Sequence, residues 1–147
     1  MNEAAGLLKM AMSEFRPGLH TLSEGKAASE GRSAKWSRKE ILGHLIDSAV
    51  NNHQRFVRAQ LADRLEWPGY EQDAWVSVQK YKERQWTELL ELWEQLNRHI
   101  VHVMEIVPSS RLATPCVIGN GEPVTLEWLM TDYVRHLRHH LSQILTD

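Results

Sequence analysis

The clearest start of a helix in this chain is the stretch Trp36-Ser37-Arg38-Lys39-Glu40-Ile41-Leu42. Ser37, followed three residues later by Glu40, matches the capping box, in which each side chain satisfies a backbone N–H at the helix start. Trp36 before the cap and Ile41 inside the helix have the spacing of a hydrophobic staple. The sequence therefore predicts a long helix that begins at residue 38 and runs to residue 61.

Three further stretches have the periodicity of amphipathic helices. Apolar residues recur at three- and four-residue steps over residues 3–23, 84–107 and 125–145. Pro17 falls inside the first of these ranges and predicts a kink or a break there. Because each apolar stripe must be buried against another helix, the four patterns together predict an all-α protein, a four-helix bundle.

The segments between these helices carry turn and loop signals. Residues 23–35 are small and polar and predict a loop, whereas Trp67-Pro68-Gly69-Tyr70 ends the helix before it. A short helix is expected over residues 73–80. Residues 113–124 contain Gly119-Asn120-Gly121-Glu122 between apolar residues, which predicts a short extended or hairpin insert before the last helix. No internal repeat is evident, so residues 1–147 are expected to form one domain.

Composition and charge exclude several classes of function. The chain has 17 Lys and Arg against 19 Asp and Glu, so it lacks the basic excess of a sequence-independent nucleic-acid binder. The single cysteine, Cys116, excludes an intramolecular disulfide framework and is expected to be a buried, inert thiol. No run of 18 apolar residues is present, and no basic leader precedes the first helix. We therefore expect a cytoplasmic protein that binds neither membranes nor nucleic acid.

The eight histidines are the candidates for a chemical function, because imidazole binds metal ions. His136 and His140 are four residues apart on the last predicted helix, where two imidazoles can chelate one divalent ion. His139 points about 100° away from His140 on the same helix. Catalytic zinc sites use three protein ligands, so a third ligand should come from another helix. The candidates, in order of position, are His20, His44, His53, His99 and His102, of which His44 is preferred and His99 is the reserve.

A polar stripe shares the predicted 38–61 helix with His44, and it comprises Asp47, Ser48, Asn51 and Arg55. One interpretation is the wall of a pocket, in which Asp47 orients a metal-bound histidine or water and Arg55 binds a substrate carboxylate. Asp132 precedes His136 by one turn and could accept its free ring N–H. The other interpretation is a solvated helix face, with Arg55 in a salt bridge to another helix and the histidine pair as surface decoration.

Two segments resemble the signatures of the DinB-like superfamily, the DinB/YfiT group. The first runs from Trp36 to Ser48 and continues with Asn52, His53, Arg55 and Phe56. The second is His136-Leu137-Arg138-His139-His140-Leu141-Ser142-Gln143-Ile144. The resemblance implies a four-helix bundle with a divalent ion held by three histidines, which fall here on His44, His136 and His140. The family often has Asp directly after the first of the paired histidines, whereas this chain has Leu137, so a contact from that position is in doubt.

The resemblance also implies a class of activity. It suggests a metal-dependent enzyme acting on a small molecule, either a transferase or isomerase that uses a low-molecular-weight thiol, or a hydrolase. The alternative is a non-catalytic metal-binding helical module in stress response or dimerisation. Zinc or nickel is the expected ion, and its affinity should fall as the pH drops through about 6.5, the ordinary pKa of imidazole. A homodimer is expected, because family members are often dimeric and six tryptophans leave apolar surface to bury.

Overall fold

Four long helices dominate the structure, a computed structural model that describes residues 2–31 and 35–146. They are α1 (Glu3–Thr21), α3 (Arg38–Ala59), α5 (Trp86–Glu105) and α6 (Leu126–Leu145), and the two short helices are α2 (Glu24–Ala27) and α4 (Gln72–Gln79). Two 3-10 turns, Tyr81–Glu83 and Ser109–Arg111, lie on either side of α5. The predicted all-α four-helix bundle is confirmed.

The four long helices share one core. Helix α3 packs against α5 and α6, and α1 packs against the same two helices, so α1 and α3 lie on opposite sides of the bundle. The core side chains come from all four, and the following are at most 1% exposed: Leu8, Leu42, Phe56, Leu89, Trp93 and Leu137. This arrangement places α3 directly beside α6, the two helices that carry the candidate metal ligands.

The predicted start of α3 is confirmed in detail. The Ser37 hydroxyl accepts a hydrogen bond from the Glu40 backbone N–H at 3.2 Å, and a Glu40 carboxylate oxygen accepts one from the Ser37 N–H at 3.0 Å. Trp36 is partly buried and packs against the hydrophobic core. Helix α3 ends at Ala59, two residues before the predicted end.

A buried arginine ties the start of α3 to the end of α6. Arg38 is 2% exposed, and its Nε donates to the Ile144 carbonyl oxygen at 2.8 Å. Its Nη2 donates to the Thr146 carbonyl oxygen at 3.2 Å. The last carbonyl groups of a helix have no partner within it. The Arg38 side chain satisfies that of Ile144 and the carbonyl of the cap residue Thr146, and it thereby fixes the two helices relative to each other.

The first helix differs from its prediction at Pro17. Helix α1 continues through Pro17 to Thr21 without a break. Proline removes one backbone hydrogen bond, but Leu8 and Leu19, on either side of it, are fully buried in the core. Burial of this apolar face outweighs the lost bond. The predicted loop over residues 23–35 contains α2, and its residues 32–34 lie outside the described residues.

The insert before α6 is a hairpin within a three-stranded sheet. Strands β2 (Pro115–Ile118) and β3 (Val124–Thr125) pair antiparallel, as predicted. A further strand, β1 (Leu65–Trp67), pairs in parallel with β2 and was not predicted. Gly119 follows β2 and has a φ of 59°, a conformation that favours glycine. Its N–H donates to the Trp67 carbonyl oxygen at 2.8 Å, which extends the pairing of β1 with β2. The sheet thereby anchors the segment that follows β1.

None of the helices in the described part of the chain has the length and hydropathy of a segment that crosses a bilayer.

Candidate metal centre

Three histidines converge where α3 meets α6. Side-chain nitrogen atoms of His44, His136 and His140, one from each ring, all lie within 4.8 Å of one another. The centroids of the three rings are 4.6 to 5.1 Å apart. His44 is fully buried, while His136 and His140 are half-buried. The structure thus brings together the three residues that the sequence analysis preferred, and it leaves the reserve candidate His99 elsewhere.

The spacing of the ring nitrogens fits a divalent ion. The Nε2 atoms of His44 and His136 are 3.3 Å apart. Two nitrogens that bind one zinc ion at about 2.0–2.1 Å in tetrahedral geometry are separated by about 3.3 Å. Without an ion, the Nε2–H of one ring would have to donate a hydrogen bond to the Nε2 of the other.

Hydrogen bonding around the cluster also suits metal ligation. His140 Nδ1 lies 2.8 Å from the Gln143 side-chain oxygen, which can only accept, so Nδ1 carries the proton and the Nε2 lone pair is free. His44 Nδ1 is buried with no hydrogen-bond partner among the described residues. Its Nε2 faces His136, so that nitrogen is the one available to an ion. A donor set of three imidazoles is one that zinc, nickel and copper accept.

Burial keeps the three rings neutral. Loss of solvent, together with the nearby His140 and His136, lowers the pKa of His44 from 6.5 to about 3. Burial and the nearby His140 lower the pKa of His136 to about 4. Burial also lowers the pKa of His140. Because an imidazole binds a metal only when neutral, the cluster is ready to bind an ion at pH 7.

A cavity of about 260 Å³ opens beside His136. Its wall comes from α3, α6 and the segment after β1, and it includes Ser48, Asn52, Arg55, Tyr70, Asp132 and Tyr133. Three of the predicted pocket residues, Ser48, Arg55 and Asp132, therefore lie in this wall. The cavity is large enough for a small molecule to approach an ion held by the histidines.

Arg55 lines the cavity, and its surroundings leave its charge unpaired within the described part of the chain. No ion pair joins its guanidinium to an acid in the described ranges, 2–31 and 35–146, and its Nε is buried without a hydrogen bond. Its Nη1 donates to Asn52 Oδ1 at a long 3.4 Å, and its Cζ lies 6.0 Å from the centre of the Tyr70 ring. Burial lowers the pKa of Arg55, but an arginine remains charged at pH 7. The salt bridge that the sequence analysis kept as an alternative is not present among these residues.

Comparison with known proteins identifies the family. The family model of the DinB superfamily matches residues 7–144. The chain belongs to the DinB superfamily. A curated relative from Halalkalibacterium halodurans, provisionally named as a metal-dependent hydrolase, is 23% identical over 124 residues, which cover 84% of this chain and 72% of the relative.

Two solved structures share the fold of this chain. YfiT from Bacillus subtilis, described as a probable metal-dependent hydrolase with an unusual four-helix bundle topology, superposes with a TM-score of 0.84 at 19% identity. That match covers 97% of this chain and 82% of YfiT. A mycothiol-dependent maleylpyruvate isomerase superposes with a TM-score of 0.81 at 11% identity, over 97% of this chain and 59% of the isomerase.

The departure from the DinB-like signature at Leu137 has a simple structural reason. Leu137 is 1% exposed and belongs to the core of the bundle. In this chain the side chain after His136 therefore faces apolar neighbours, where a carboxylate without a partner would be costly. His139, two residues on, is exposed and lies outside the group of converging nitrogens.

Two other predicted pocket residues of this DinB-superfamily chain have different neighbours. Asp47 accepts hydrogen bonds from the Tyr81 hydroxyl at 2.6 Å and from Gln79 Nε2 at 2.7 Å, and neither Asp47 nor Asn51 lines the cavity. Burial raises the pKa of Asp47. The Tyr81 ring lies so close to Gly43 that a Cβ there would overlap it. Through Oδ1, Asp47 fixes the Tyr81 turn against α3. Its Oδ2 is buried with no hydrogen-bond partner among the described residues, so the expectation that Asp47 orients a metal-bound histidine or water stays a prediction.

Asn51 and Asp132 also differ from the roles considered for them. The Asn51 side-chain amide donates to the Asp47 carbonyl oxygen of its own helix at 2.9 Å. Asp132 accepts a hydrogen bond from Arg135 Nε at 3.0 Å, and no bond to the His136 ring is present among the described residues. Asp47 and Ser48 are buried, so this side of α3 is not a solvated face.

Sequence reasoning missed the contribution of the segment after β1. Tyr70 lines the cavity opposite α3, and burial raises the pKa of its phenol. The residues around it, Trp67-Pro68-Gly69, predicted the end of a helix, and no signal singled out Tyr70 itself. No local pattern predicts that the parallel pairing of β1 with β2 places this tyrosine in the wall of the cavity beside His136.

Proposed function

We propose that this protein is a metal-dependent enzyme that joins the sulfur of a low-molecular-weight thiol to an electrophilic small molecule. The observation that carries the proposal is the cluster of three neutral imidazoles, His44, His136 and His140, beside a cavity lined by an arginine that has no ion-pair partner among the described residues. These histidines are the proposed ligands of one divalent ion, zinc or nickel. Such an ion would lower the pKa of a water molecule or a thiol bound at its open position.

The side chains of the cavity favour a thiol over water as the nucleophile. A hydrolase commonly positions a free general base beside the attacking water. Asp132 is the carboxylate in the wall of this cavity, and it is already paired with Arg135. A thiol needs no such base, because coordination to a metal ion deprotonates it outright.

The sulfur must come from a co-substrate. Cys116, the only cysteine of the chain, is 0% exposed, lies in β2 and does not line the cavity. Burial raises the pKa of its thiol, which makes it a poor nucleophile. The mycothiol-dependent isomerase with the same fold supports this part of the proposal.

Arg55 is the proposed anchor for an acidic group on one of the substrates. A guanidinium presents a planar pair of N–H donors that matches a carboxylate. The hydrogen bond to Asn52 orients the guanidinium of Arg55 but does not neutralise its charge. The Nε of Arg55 has no hydrogen-bond partner among the described residues. A carboxylate bound there would lie in the same cavity as His136.

The proposal is tested by turnover of metal-loaded protein with a panel of small thiols and monochlorobimane as a fluorescent electrophile. We expect conjugation that needs both the thiol and the metal, that His44→Gln abolishes and that His139→Gln leaves intact. Hydrolysis of nitrophenyl esters without any thiol would indicate the hydrolase instead. Absence of both activities in metal-loaded protein would favour the non-catalytic metal-binding module.

A further inference from the structure

A second cluster of imidazoles lies between α3 and α5. The rings of His53 on α3 and His99 on α5 have centroids 5.0 Å apart in a T-shaped arrangement. His102, one turn after His99, places its ring centroid 6.2 Å from that of His99. The His53–His99 separation falls within the 4.6 to 5.1 Å range of the three rings of the first cluster.

The nitrogens of this second cluster have no other use in the fold. No hydrogen bond or ion pair from the residues that the structure describes reaches the side chain of His53, His99 or His102. The other histidines outside the first cluster are engaged, since His20 binds Glu94 and His139 accepts from Gln143. Two imidazoles with free lone pairs, His53 and His99, thus meet on one side of the bundle, and the His102 ring lies beside His99.

The position of this cluster makes it a separate site. His53 follows His44 by nine residues on α3, which corresponds to about 13 Å along the helix axis. Paired catalytic metal ions lie about 3.5–4 Å apart, so an ion here would not act together with one at the first cluster. His99 and His102 are exposed and His53 is half-buried, so the site faces solvent.

We propose that His53 and His99 form a second site for a divalent transition-metal ion, with His102 as an additional ligand after a change of rotamer. The ion is one that prefers imidazole nitrogen, such as zinc, nickel or copper. Its binding links α3 to α5, and the exposed side leaves coordination positions open to water or to a donor from another molecule.

The test is a calorimetric titration of Zn²⁺ into metal-stripped, tag-free protein. We expect two equivalents for the wild type, and one equivalent for both His99→Gln and His53→Gln. His102→Gln should keep two equivalents, with the second bound about tenfold more weakly, equivalent to about 1.4 kcal/mol. The matched control is His139→Gln, an exposed histidine outside both clusters, which should keep two equivalents.

The outcomes separate this proposal from the proposed function. Two equivalents retained in His99→Gln, or a single wild-type equivalent that His136→Ala removes, would overturn the second site and leave the first intact. A single wild-type equivalent that is lost in His99→Gln but kept in His136→Ala would support the second site and contradict the first. Circular dichroism of each variant shows that the fold is retained.

Discussion

The imidazole of His44 on α3 is fully buried and that of His136 on α6 is half-buried. The folded protein holds the pKa of His44 at about 3 and that of His136 at about 4, mainly because burial penalises the charged ring. In the unfolded chain both rings return to a pKa of about 6.5. This difference in pKa between the folded and unfolded states makes both the free energy of unfolding and the release of metal depend on pH.

The metal-free protein should become less stable as the pH falls from 6.5 toward 4. Over this range the unfolded chain binds protons at His44 and His136 while the folded state does not, so protonation favours unfolding. The slope should be at most about 1.4 kcal/mol per pH unit for each ring. Urea unfolding at several pH values measures it, and His136→Gln should flatten the curve. A free energy of unfolding that stays constant over this range would contradict the burial argument.

The same pKa values change the expected pH of metal release. The sequence analysis placed the loss of affinity near pH 6.5, on the assumption of ordinary imidazoles. In the folded protein protons compete with the ion only at lower pH, because the pKa of each of the three rings is lowered. The extent to which a histidine is buried depends on packing between α3 and α6, and a local sequence pattern does not show it.

Replacement of Arg55 should weaken substrate binding without loss of the metal. Removal of a charged hydrogen bond of about 1.5–3 kcal/mol predicts a rise in KM of roughly tenfold to a hundredfold for Arg55→Met. Arg55→Lys should recover only part of it, because an ammonium lacks the planar pair of donors. Steady-state kinetics with an acidic substrate measures the effect. Arg58→Met, one turn along α3 and exposed, is the control, and an equal effect there would rule out a specific role for Arg55.

Among the elements, α3 and α6 matter most, because their contact creates the metal centre. The start of α3 could be predicted from the sequence, since the capping box of Ser37 and Glu40 is a local pattern with a local structural result. Strand β1 could not be predicted, because its partner β2 lies about fifty residues further along the chain and only the fold brings them together. The position of Tyr70 in the cavity wall could not be predicted either, because Tyr70 follows β1 and its place depends on the same strand pairing.

Loss of Arg38 should loosen the junction of these two helices. Arg38→Met leaves the Ile144 and Thr146 carbonyl oxygens without their donor in a buried place, which predicts a loss of roughly 3 kcal/mol in the free energy of unfolding. Chemical denaturation measures this loss. Arg84→Met removes an exposed arginine and should change stability by less than about 0.5 kcal/mol. A similar small change for Arg38→Met would show that the junction does not depend on this side chain.

The whole molecule exposes apolar side chains on the α1 and α6 side of the bundle. Leu7 is 40% exposed, Met10 is 65% exposed and Trp128 is 52% exposed, while the other five tryptophans are buried or half-buried. The homodimer expected from composition stays a prediction, and this surface is where we place its interface.

Light scattering across micromolar concentrations should give twice the 17.0 kDa mass of the chain. Met10→Glu should shift the protein to a monomer, because a carboxylate would be buried in the interface without a partner. Val78→Glu, at a site on α4 that is 75% exposed, is the control and should leave the dimer intact. A wild-type particle of 17.0 kDa would contradict the dimer.

The proposed enzymatic function rests on the assignment of His44, His136 and His140 as metal ligands, and elemental analysis tests that assignment most directly. Tag-free protein is dialysed against a weak chelator, and the tightly held metal per chain is then measured for the wild type, His136→Ala and His139→Ala. The account predicts the same metal content for the wild type and for His139→Ala, and about one equivalent less in His136→Ala. Equal loss in both variants, or metal retained in both, would contradict the three-histidine site.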